Sequence, residues 1–396
     1  MIHFLIYYLL TLTATSSTCS MDLKNISSAI AKFSTKFCNE LEKNKSLVSS
    51  PLSAEFVLSL VALGCSEPAH SELLKALNIH DNDQIRSSFG QVAAQLKSVK
   101  GITLNVANKV YVKDGGYELV PQLAEDAVKV FDAGIEKINF DNGAAAAELI
   151  NKWVESKTNN RIKDLLSSDS LNSDSRLVLV NALYFKGNWK KQFDPQNTMD
   201  MEFHINSQKT ANIPMMYLES NFRYAESEEL KAQLLEMPYV GEGASMLVIL
   251  PTEVEGLAAL LQKLADGFDL IKAIDNMFST KVQVTLPKFK IETTIDLKAL
   301  LPKLGIKAIF DRGNSGLTGI LDNNEALYVS EAVQKAFIEV NEEGAEAAAA
   351  TAFGIMMTCA MVDVDPVKRF VANRPFLAVI QVQHTPYFTA VYHGDN

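Results

Sequence analysis

Residues 341–353 read Asn-Glu-Glu-Gly-Ala-Glu-Ala-Ala-Ala-Ala-Thr-Ala-Phe, and this stretch decides how the rest of the chain is interpreted. Alanine is the best helix former, so composition alone predicts a helix. Read with a period of two, however, small and then apolar side chains share one face of a strand, while Glu346 lies on the other. The members of that face are Ala345, Ala347, Ala349, Thr351, Phe353 and Ile355. A strand with such a smooth face can enter a sheet without collision, so the segment is predicted to exist either as an exposed loop or as an inserted strand.

The composition around this segment is that of a large globular protein. The chain has 396 residues, of which 47% are hydrophobic and 21% charged, and this excludes a disordered or low-complexity polymer. The net charge is -10 with no basic stripe, which argues against nucleic-acid binding. Four cysteines are too few to build a disulfide scaffold. Without a repeat or a Pro/Ser/Gly-rich linker, we expect one large domain.

The first twenty residues are predicted to be a secretory signal peptide. Residues 1–12 read MIHFLIYYLLTL and are followed by small polar residues, although the segment lacks the usual Lys or Arg near its start. A buried N-terminal strand or helix is the alternative. The remainder of the chain has no apolar run of membrane-spanning length, so we expect no membrane association. Removal of Cys19 would leave Cys38, Cys65 and Cys359, which cannot all pair, so at least one thiol is free.

Two tripeptides fit the acceptor pattern for N-glycosylation. They are Asn25-Ile26-Ser27 and Asn44-Lys45-Ser46. Such tripeptides also arise by chance, but together with the signal peptide they predict a secreted, extracellular glycoprotein.

Hydrophobic periodicity predicts helices in the first half of the chain and strands mainly in the second. The predicted helices cover residues 28–42, 51–64, 121–131 and 144–156. The predicted strands cover residues 102–112, 177–180, 246–250, 282–286 and 376–382. This segregation is typical of the α+β class.

The sequence offers little support for enzymatic chemistry. The six histidines form no metal-binding pattern, and no nucleophile elbow, phosphate-binding loop or dinucleotide motif occurs. The Gly313–Gly316 stretch has the composition of a protease nucleophile loop, but a glycine-rich turn explains it more simply. We therefore predict no catalytic residues, no metal and no cofactor.

Four motifs, in the family's order, make the chain similar to the serpins from about Leu23 to its end. They are the hinge-like residues 341–350, Ser-Pro-Leu-Ser at 50–53, Asn-Ala-Leu-Tyr-Phe-Lys-Gly-Asn-Trp at 181–189, and Phe-Val-Ala-Asn-Arg-Pro-Phe-Leu at 370–377. The resemblance is to secreted, inhibitory serpins of the invertebrate type. It implies an α+β serpin fold over residues 21–396, with about nine helices, three β-sheets and an exposed reactive loop at about 343–372.

The resemblance also implies a function. A serpin inhibitor is a suicide substrate: the target protease cleaves the loop and is trapped as a covalent acyl-enzyme while the loop inserts into the main sheet. The implied partner is a protease, and the chain is expected to be a monomer. A non-inhibitory serpin that acts as carrier, storage protein or chaperone is the alternative. The small residues Ala345, Ala347 and Ala349 favour the inhibitor.

The family pattern assigns three groups of residues. The hinge comprises Glu342, Glu343, Gly344, Ala345, Glu346, Ala347, Ala348, Ala349 and Ala350. The loop entrance is formed by Trp189, Lys288 and Glu342, and the region through which the sheet opens contains Ser50, Ser53, Asn181 and Gln334. Many members have histidine where this chain has Gln334, and an amide can form hydrogen bonds but cannot titrate. We therefore expect opening without pH sensing at this point.

Counting fourteen residues from Gly344, as is common in the family, puts the reactive bond between Thr358 and Cys359. The small Thr358 suits an elastase-like serine protease. Met357, preceded by Met356, suits a papain-like (cathepsin L-type) cysteine protease, which reads the residue one step upstream; we favour this class. The loop is longer than usual for the family. The predicted position of the reactive bond therefore rests only on the count of fourteen residues from Gly344.

Two basic stretches bear on trypsin-like cleavage and on heparin binding. Lys368-Arg369 would attract a trypsin-like enzyme, but cleavage this near the C-terminal anchor would give a substrate rather than an inhibitor. Residues 81–99 carry only Arg86 and Lys97, so no heparin site is expected.

Overall fold

The computed structural model describes residues 26–241, 243–323, 325–344 and 367–394. Within these ranges there are nine α-helices. They are α1 (26–39), α2 (Pro51–Leu63), α3 (Ala69–Leu77), α4 (Asn82–Ser98), α5 (Pro121–Lys129), α6 (Gly143–Lys157), α7 (Leu257–Ala265), α8 (Leu270–Asp275) and α9 (Leu297–Leu300). No helix in the described ranges is long and apolar enough to span a membrane.

Fourteen strands occur in the same part of the chain. They are β1 (Leu47–Ser49), β2 (Ile102–Lys113), β3 (Gly134–Ile138), β4 (Leu177–Gly187), β5 (Met199–His204), β6 (Thr210–Ser227), β7 (Ala232–Pro238), β8 (Ala244–Pro251), β9 (Phe278–Pro287), β10 (Phe289–Asp296), β11 (Val329–Val340), β12 (Lys368–Val371), β13 (Phe376–Val382) and β14 (Thr385–Tyr392). The predicted α+β class is confirmed.

The main sheet has five strands in the order β10-β11-β4-β2-β3. At its centre β11 and β4 run parallel, with Gln334 opposite Asn181 and Phe337 opposite Tyr184. The outer neighbours of this pair, β10 and β2, are antiparallel to it. Among the described strands, β4 and β11 are therefore the parallel pair at the centre of this sheet.

Side chains alternate between the two faces of β4, and both faces are buried. Leu179 and Leu183 join the core that includes α2, whereas Val178 and Val180 pack in a second core with α6. The sheet is thus enclosed between α2 and α6. This explains why residues 177–180 read as a continuous apolar run.

A second network of nine strands has the order β1-β14-β13-β8-β7-β6-β9-β12, and β5 pairs with β6 at its side. The long β6 joins two smaller sheets, because its last residues pair with β7 and its first residues pair with β5. With the main sheet, this gives the three sheets that the resemblance implied, two of them continuous through β6.

Helix boundaries differ from the predicted ones by a few residues. The helix predicted over 28–42 occupies 26–39, and the one predicted over 121–131 ends at Lys129. In the second case Asp132 adopts a left-handed conformation with φ of 49°, so the chain turns while the apolar pattern still continues to Phe131. Side-chain periodicity reports burial, and burial extends beyond the hydrogen-bonded helix.

Candidate functional site at the end of the central strands

The chain reverses direction directly after β11. The Asn341 side chain accepts hydrogen bonds from the backbone N–H groups of Glu343 (3.1 Å) and Gly344 (3.0 Å), and the Asn341 N–H donates to the Gly344 carbonyl (2.8 Å). Gly344 has φ of 127°, and a Cβ atom here would lie 2.1 Å from the carbonyl oxygen of Gly187. Only glycine fits this turn, which begins the predicted hinge.

Trp189 fastens this turn to the top of β4. Its backbone N–H donates to the Glu343 carbonyl (2.8 Å), and its indole Nε1 donates to the Asn341 carbonyl (2.9 Å). The ring stacks on Tyr239 with centroids 4.6 Å apart and an interplanar angle of 9°. These contacts hold Trp189 against the turn at Asn341–Gly344.

Glu342 and Lys288, which the resemblance paired, form an ion pair with 3.0 Å between Nζ and Oε2. The other carboxylate oxygen accepts a hydrogen bond from the Thr198 hydroxyl at 2.9 Å. Burial raises the pKa of Glu342, but the hydrogen bonds from Lys288 and Thr198 and the Lys288 charge outweigh it, so the pKa lies below its usual value. Glu342 is therefore ionised and holds the start of the hinge to two neighbouring segments.

A buried polar cluster lies below this entrance, between α2 and the main sheet. The Asn181 side chain donates from Nδ2 to Ser53 Oγ (2.6 Å) and to Asn108 Oδ1, and Ser53 Oγ donates to Asn108 Oδ1 (3.0 Å). The Asn181 Oδ1 accepts from Gln334 Nε2 at 2.6 Å. We call Ser50, Ser53, Asn108, Asn181 and Gln334 the polar cluster; all five are buried.

Gln334 and Asn181 belong to β11 and β4 and face each other across the parallel pair. Their hydrogen bond is therefore a side-chain link that must break before those two strands can separate. None of the five members of the polar cluster carries an ionisable side chain, which is consistent with the prediction that opening here does not respond to pH.

Two residues that bond to the predicted site residues, Thr198 and Asn108, were not predicted from the sequence. Thr198 lies in a loop before β5, and its composition gives no hint of a contact with a residue 144 positions away. Asn108 interrupts an otherwise apolar alternation in β2, and this was a usable signal, because a polar residue on a buried face needs partners.

Several predicted residues lie outside the described ranges. They are the signal peptide at 1–20, Asn25, the hinge from Ala345 to Ala350, and Met356, Met357, Thr358 and Cys359. The described chain resumes at residue 367. Lys368 and Arg369 lie in β12, which pairs in parallel with β9, and Lys368 also forms an ion pair with Glu226 at 3.3 Å. A protease would have to pull this strand out of the sheet before cleaving it.

Asn44, Arg86 and Lys97 lie within the described ranges. Asn44 is exposed on a bend before β1, so its side chain is accessible for modification. Arg86 is paired with Asp126 at 2.9 Å, and Lys97 with Asp132 at 3.2 Å. Both basic side chains of α4 thus face carboxylates.

Two cysteines in the described part of the chain, Cys38 and Cys65, carry free thiols. Burial raises the pKa of Cys38 to about 11 and that of Cys65 to about 12, so both stay protonated and inert.

The stretch that resembled a nucleophile loop and the potential metal ligands can both be examined in the described ranges. Ser315, in the stretch with the composition of a nucleophile loop, is buried and donates to the Leu327 carbonyl. No group of three or more potential metal ligands occurs in the described ranges.

Comparison with known proteins identifies this architecture. Residues 28–392 match the family model described as Serpin (serine protease inhibitor). The chain is 43% identical over 364 residues to Antichymotrypsin-2 of Bombyx mori (91% of this chain, 96% of that one) and 44% identical over 363 residues to Antitrypsin of the same organism (91% and 92%). Among solved structures, Serpin48 of Tenebrio molitor has a TM-score of 0.84 and 33% identity, with 94% and 99% coverage. The chain belongs to the serpin family.

Proposed function

We propose that this serpin inhibits a protease as a suicide substrate. The geometry that carries the proposal is the parallel pairing of β4 and β11 below a turn that reverses the chain at Gly344. A strand that continues from this turn between β4 and β11 runs antiparallel to both. Insertion would exchange one parallel pairing for two antiparallel ones, which are more stable per residue.

The resemblance supplies the steps. The protease attacks the exposed loop, its nucleophile forms an acyl bond with the new carboxyl end, and the freed segment inserts before that bond is hydrolysed. The intact protein is then a kinetically trapped state, and loop cleavage releases it. Relatives named antichymotrypsin and antitrypsin support a protease as the partner.

As the target we favour a papain-like cysteine protease over an elastase-like serine protease, on the basis of the loop sequence. Met357 fits the apolar pocket of a papain-like cysteine protease, and Thr358 fits the small primary pocket of an elastase-like serine protease. The names of the relatives favour serine proteases as a group, so both classes are tested. We further propose secretion, on the basis of the segment at 1–20 and the exposed sequon at Asn44.

The decisive experiment is denaturing gel electrophoresis after mixing with cathepsin L-type and elastase-type enzymes. A band of the summed mass that survives denaturation supports inhibition. Complete cleavage without such a band supports a carrier or storage serpin. Melting curves of intact and loop-nicked protein give an independent readout, since insertion of a central strand should raise the midpoint sharply and equal midpoints would exclude insertion.

A further inference from the structure

A cavity of about 480 Å³ lies on one face of the second network of strands. On its floor, Arg223 of β6 lies opposite both Glu236 of β7 and Ser279 of β9. The turn between β13 and β14, at Gln383 and His384, forms a further wall. Among the described residues that line the cavity, none belongs to the loop entrance or the polar cluster. The volume falls within the roughly 300–1,000 Å³ that small-molecule sites occupy.

The same face of the strands is apolar elsewhere, and α7 and α8 cover it there. Leu234 of β7 and Leu247 of β8 share a core with Leu261 of α7 and Ile274 of α8. Side chains alternate along a strand, so Glu236, two residues after Leu234, lies on this face as well. Near the end of α8, Arg223 Nη2 donates to the Ile274 carbonyl at 2.6 Å. The polar floor of the cavity therefore begins where the helices cease to cover the strands.

The two charged side chains of the floor satisfy each other. Arg223 Nη1 donates to Glu236 Oε2 at 2.5 Å. Glu236 Oε1 accepts from Ser245 Oγ at 2.7 Å and from Gln381 Nε2 at 2.9 Å, so both carboxylate oxygens have partners. A cationic ligand would meet the Arg223 charge, an anionic one would meet Glu236, and either would lose part of its hydration. The cavity therefore favours an uncharged ligand.

The other polar groups of the lining are mainly hydrogen-bond donors. A guanidinium has five N–H donors, and Arg223 uses two of them on described residues. Gln383 Oε1 accepts from Gln95 Nε2 at 2.6 Å, which leaves the amide NH₂ of Gln383 for a ligand. Asn221 and Ser279 are exposed, and their side chains bond to no other described residue. A ligand rich in carbonyl and hydroxyl oxygens matches this set.

The turn that carries Gln383 and His384 is strained. The two residues have φ of 46° and 68°, and a two-residue hairpin turn with both φ values positive favours Asn-Gly. The Gln383 N–H donates to the Gly243 carbonyl at 2.7 Å, and the His384 Nδ1 is buried without a hydrogen-bond partner in the described ranges. Two large side chains in a costly backbone conformation indicate a role other than making the turn.

We propose that this cavity binds one uncharged N-acetylated sugar unit of a glycan. The acetyl carbonyl and the hydroxyl oxygens accept from Arg223, Asn221 and Gln383, while the acetyl methyl group packs on Pro238 and Ala244. Binding retains the protein on a glycosylated surface. It is independent of the proposed protease inhibition.

Four monosaccharides test the chemistry of the site on the intact protein, by calorimetry and by ligand-observed NMR titration. N-acetylglucosamine should bind roughly threefold to tenfold more tightly than glucose, because it adds a carbonyl acceptor. Glucosamine carries an ammonium group and glucuronate a carboxylate, so both should bind more weakly than glucose. Equal affinities for the four sugars, or no binding of N-acetylglucosamine, would overturn the proposal.

Two larger ligands identify the source of the sugar unit. Chitotriose represents a polysaccharide, and a glycopeptide that ends in N-acetylglucosamine represents a glycoprotein. The one that binds more tightly than the monosaccharide is the source. Failure of both to bind would contradict attachment to a glycan.

The double variant Gln383→Asn, His384→Gly separates binding from folding. It installs the sequence that this turn favours, so the melting midpoint should rise. The affinity for N-acetylglucosamine should fall about tenfold, because both side chains that wall the cavity are shortened or removed. If the double variant binds the sugar like the unmodified protein, these side chains do not contact it and the proposal is wrong.

A matched pair of variants on β6 locates the site. Asn221→Asp places a carboxylate in the cavity, so the affinity for N-acetylglucosamine should fall severalfold and that for glucosamine should rise. Asn212→Asp makes the same change at an exposed residue of β6 that does not line the cavity, and should leave both affinities within about twofold. If the two variants have the same affinities, the ligand lies elsewhere and the assignment fails.

Discussion

The side-chain amide of Gln334 pairs with the backbone of Ser50 as one peptide group pairs with another. Its Oε1 accepts from the Ser50 N–H at 2.9 Å, and its Nε2 donates to the Ser50 carbonyl at 2.8 Å. Ser50 is the N-cap of α2, and its hydroxyl donates to the Tyr387 carbonyl at 2.6 Å. Gln334 of β11 thus fixes the start of α2 as well as bonding Asn181 of β4.

Replacement of Gln334 by histidine should add a pH dependence of stability at this position. A neutral imidazole has one donor and one acceptor and can serve Ser50, but a protonated one cannot accept and would bury a charge. The folded-state pKa of this histidine would lie below its unfolded value of ~6.5, so the stability it provides is present above that pH and is lost as the pH falls below it. Melting midpoints from pH 7.5 to 5.5 should diverge from those of the unmodified protein.

Gln334→Leu is the control for this experiment. It leaves the Ser50 N–H and the Asn181 Oδ1 without their hydrogen-bond partners at every pH, at a cost of about 1–3 kcal/mol for each unsatisfied group. Its midpoint should therefore be lowered by the same amount throughout the range. If the curve of Gln334→His runs parallel to that of the unmodified protein, the imidazole does not occupy the position of the amide.

The Glu342–Lys288 ion pair predicts that the free energy of unfolding also depends on pH in the acidic range. Because the folded-state pKa of Glu342 is lowered, its stabilising contribution is present above the unfolded value of ~4.3 and is lost as the pH falls through the folded value. Glu342→Gln should therefore lower the free energy of unfolding by about 1–2 kcal/mol at pH 7, and the difference should vanish below the folded-state pKa. Denaturant titrations of both proteins at several pH values measure it.

Lys288→Met removes the other member of the ion pair and is the matched variant for Glu342→Gln. If the ion pair is the source of the effect, the double variant should be no less stable than Glu342→Gln alone. Additive losses would mean that the two side chains act independently and that the bond from Thr198 accounts for the position of Glu342.

Ala345→Arg should convert the inhibitor into a substrate. Its side chain is predicted to face inward after insertion, where an unpaired guanidinium would cost several kcal/mol, so insertion would become slower than hydrolysis of the acyl bond. Glu346→Arg introduces the same side chain on the opposite face and should retain inhibition. The stoichiometry of inhibition, read from the ratio of complex to cleaved protein, should rise only for the first variant. An unchanged stoichiometry for Ala345→Arg contradicts the inward face.

The class of target protease can be read from two neighbouring residues. If it is papain-like, Met357→Asp should slow the reaction by one to two orders of magnitude, because burial of a methionine side chain contributes roughly 1.5–3 kcal/mol. Thr358→Val should then hardly matter. For an elastase-like enzyme the sensitivities reverse, and Thr358→Arg should abolish inhibition while beginning to trap trypsin-like enzymes.

Mass spectrometry of the released C-terminal peptide checks the bond itself. The peptide should begin at Cys359. A peptide that begins beyond Val362 would show that the longer loop has shifted the reactive bond, and the subsite assignments would fall with it.

Most of the architecture follows from local patterns, because burial on one face imposes a period on the sequence. The alternation from Ile102 to Val112 and the apolar run at 177–180 predicted β2 and the first part of β4, which are neighbours in the main sheet and pack against α2. The partners of those strands could not be predicted in this way. The parallel pairing of β4 with β11 joins residues about 150 positions apart, and nothing in either segment specifies it.

In the candidate site, too, some residues could be predicted from motifs and others only from the tertiary structure. Residues such as Glu342 and Lys288 were identified because a family pattern marks them, and the expected pair forms. Thr198 bonds Glu342 and Asn108 belongs to the polar cluster, but both residues lie outside the four family motifs. Their roles depend on which side chains the fold brings within 3 Å, and this is a property of the tertiary structure rather than of spacing along the chain.

The position of α6 predicts that the rate of loop insertion depends strongly on temperature. Its buried residues Ile150 and Val154 share a core with Val180 of β4 and with Val333 and Phe337 of β11, so α6 covers the line along which these two strands would part. A segment can pass between them only while that apolar contact is partly open. The barrier is then of the kind met in unfolding, whose rates rise about three- to sixfold for each 10 °C. Under the proposed function, the fraction of protease that is trapped rather than released would therefore change with temperature.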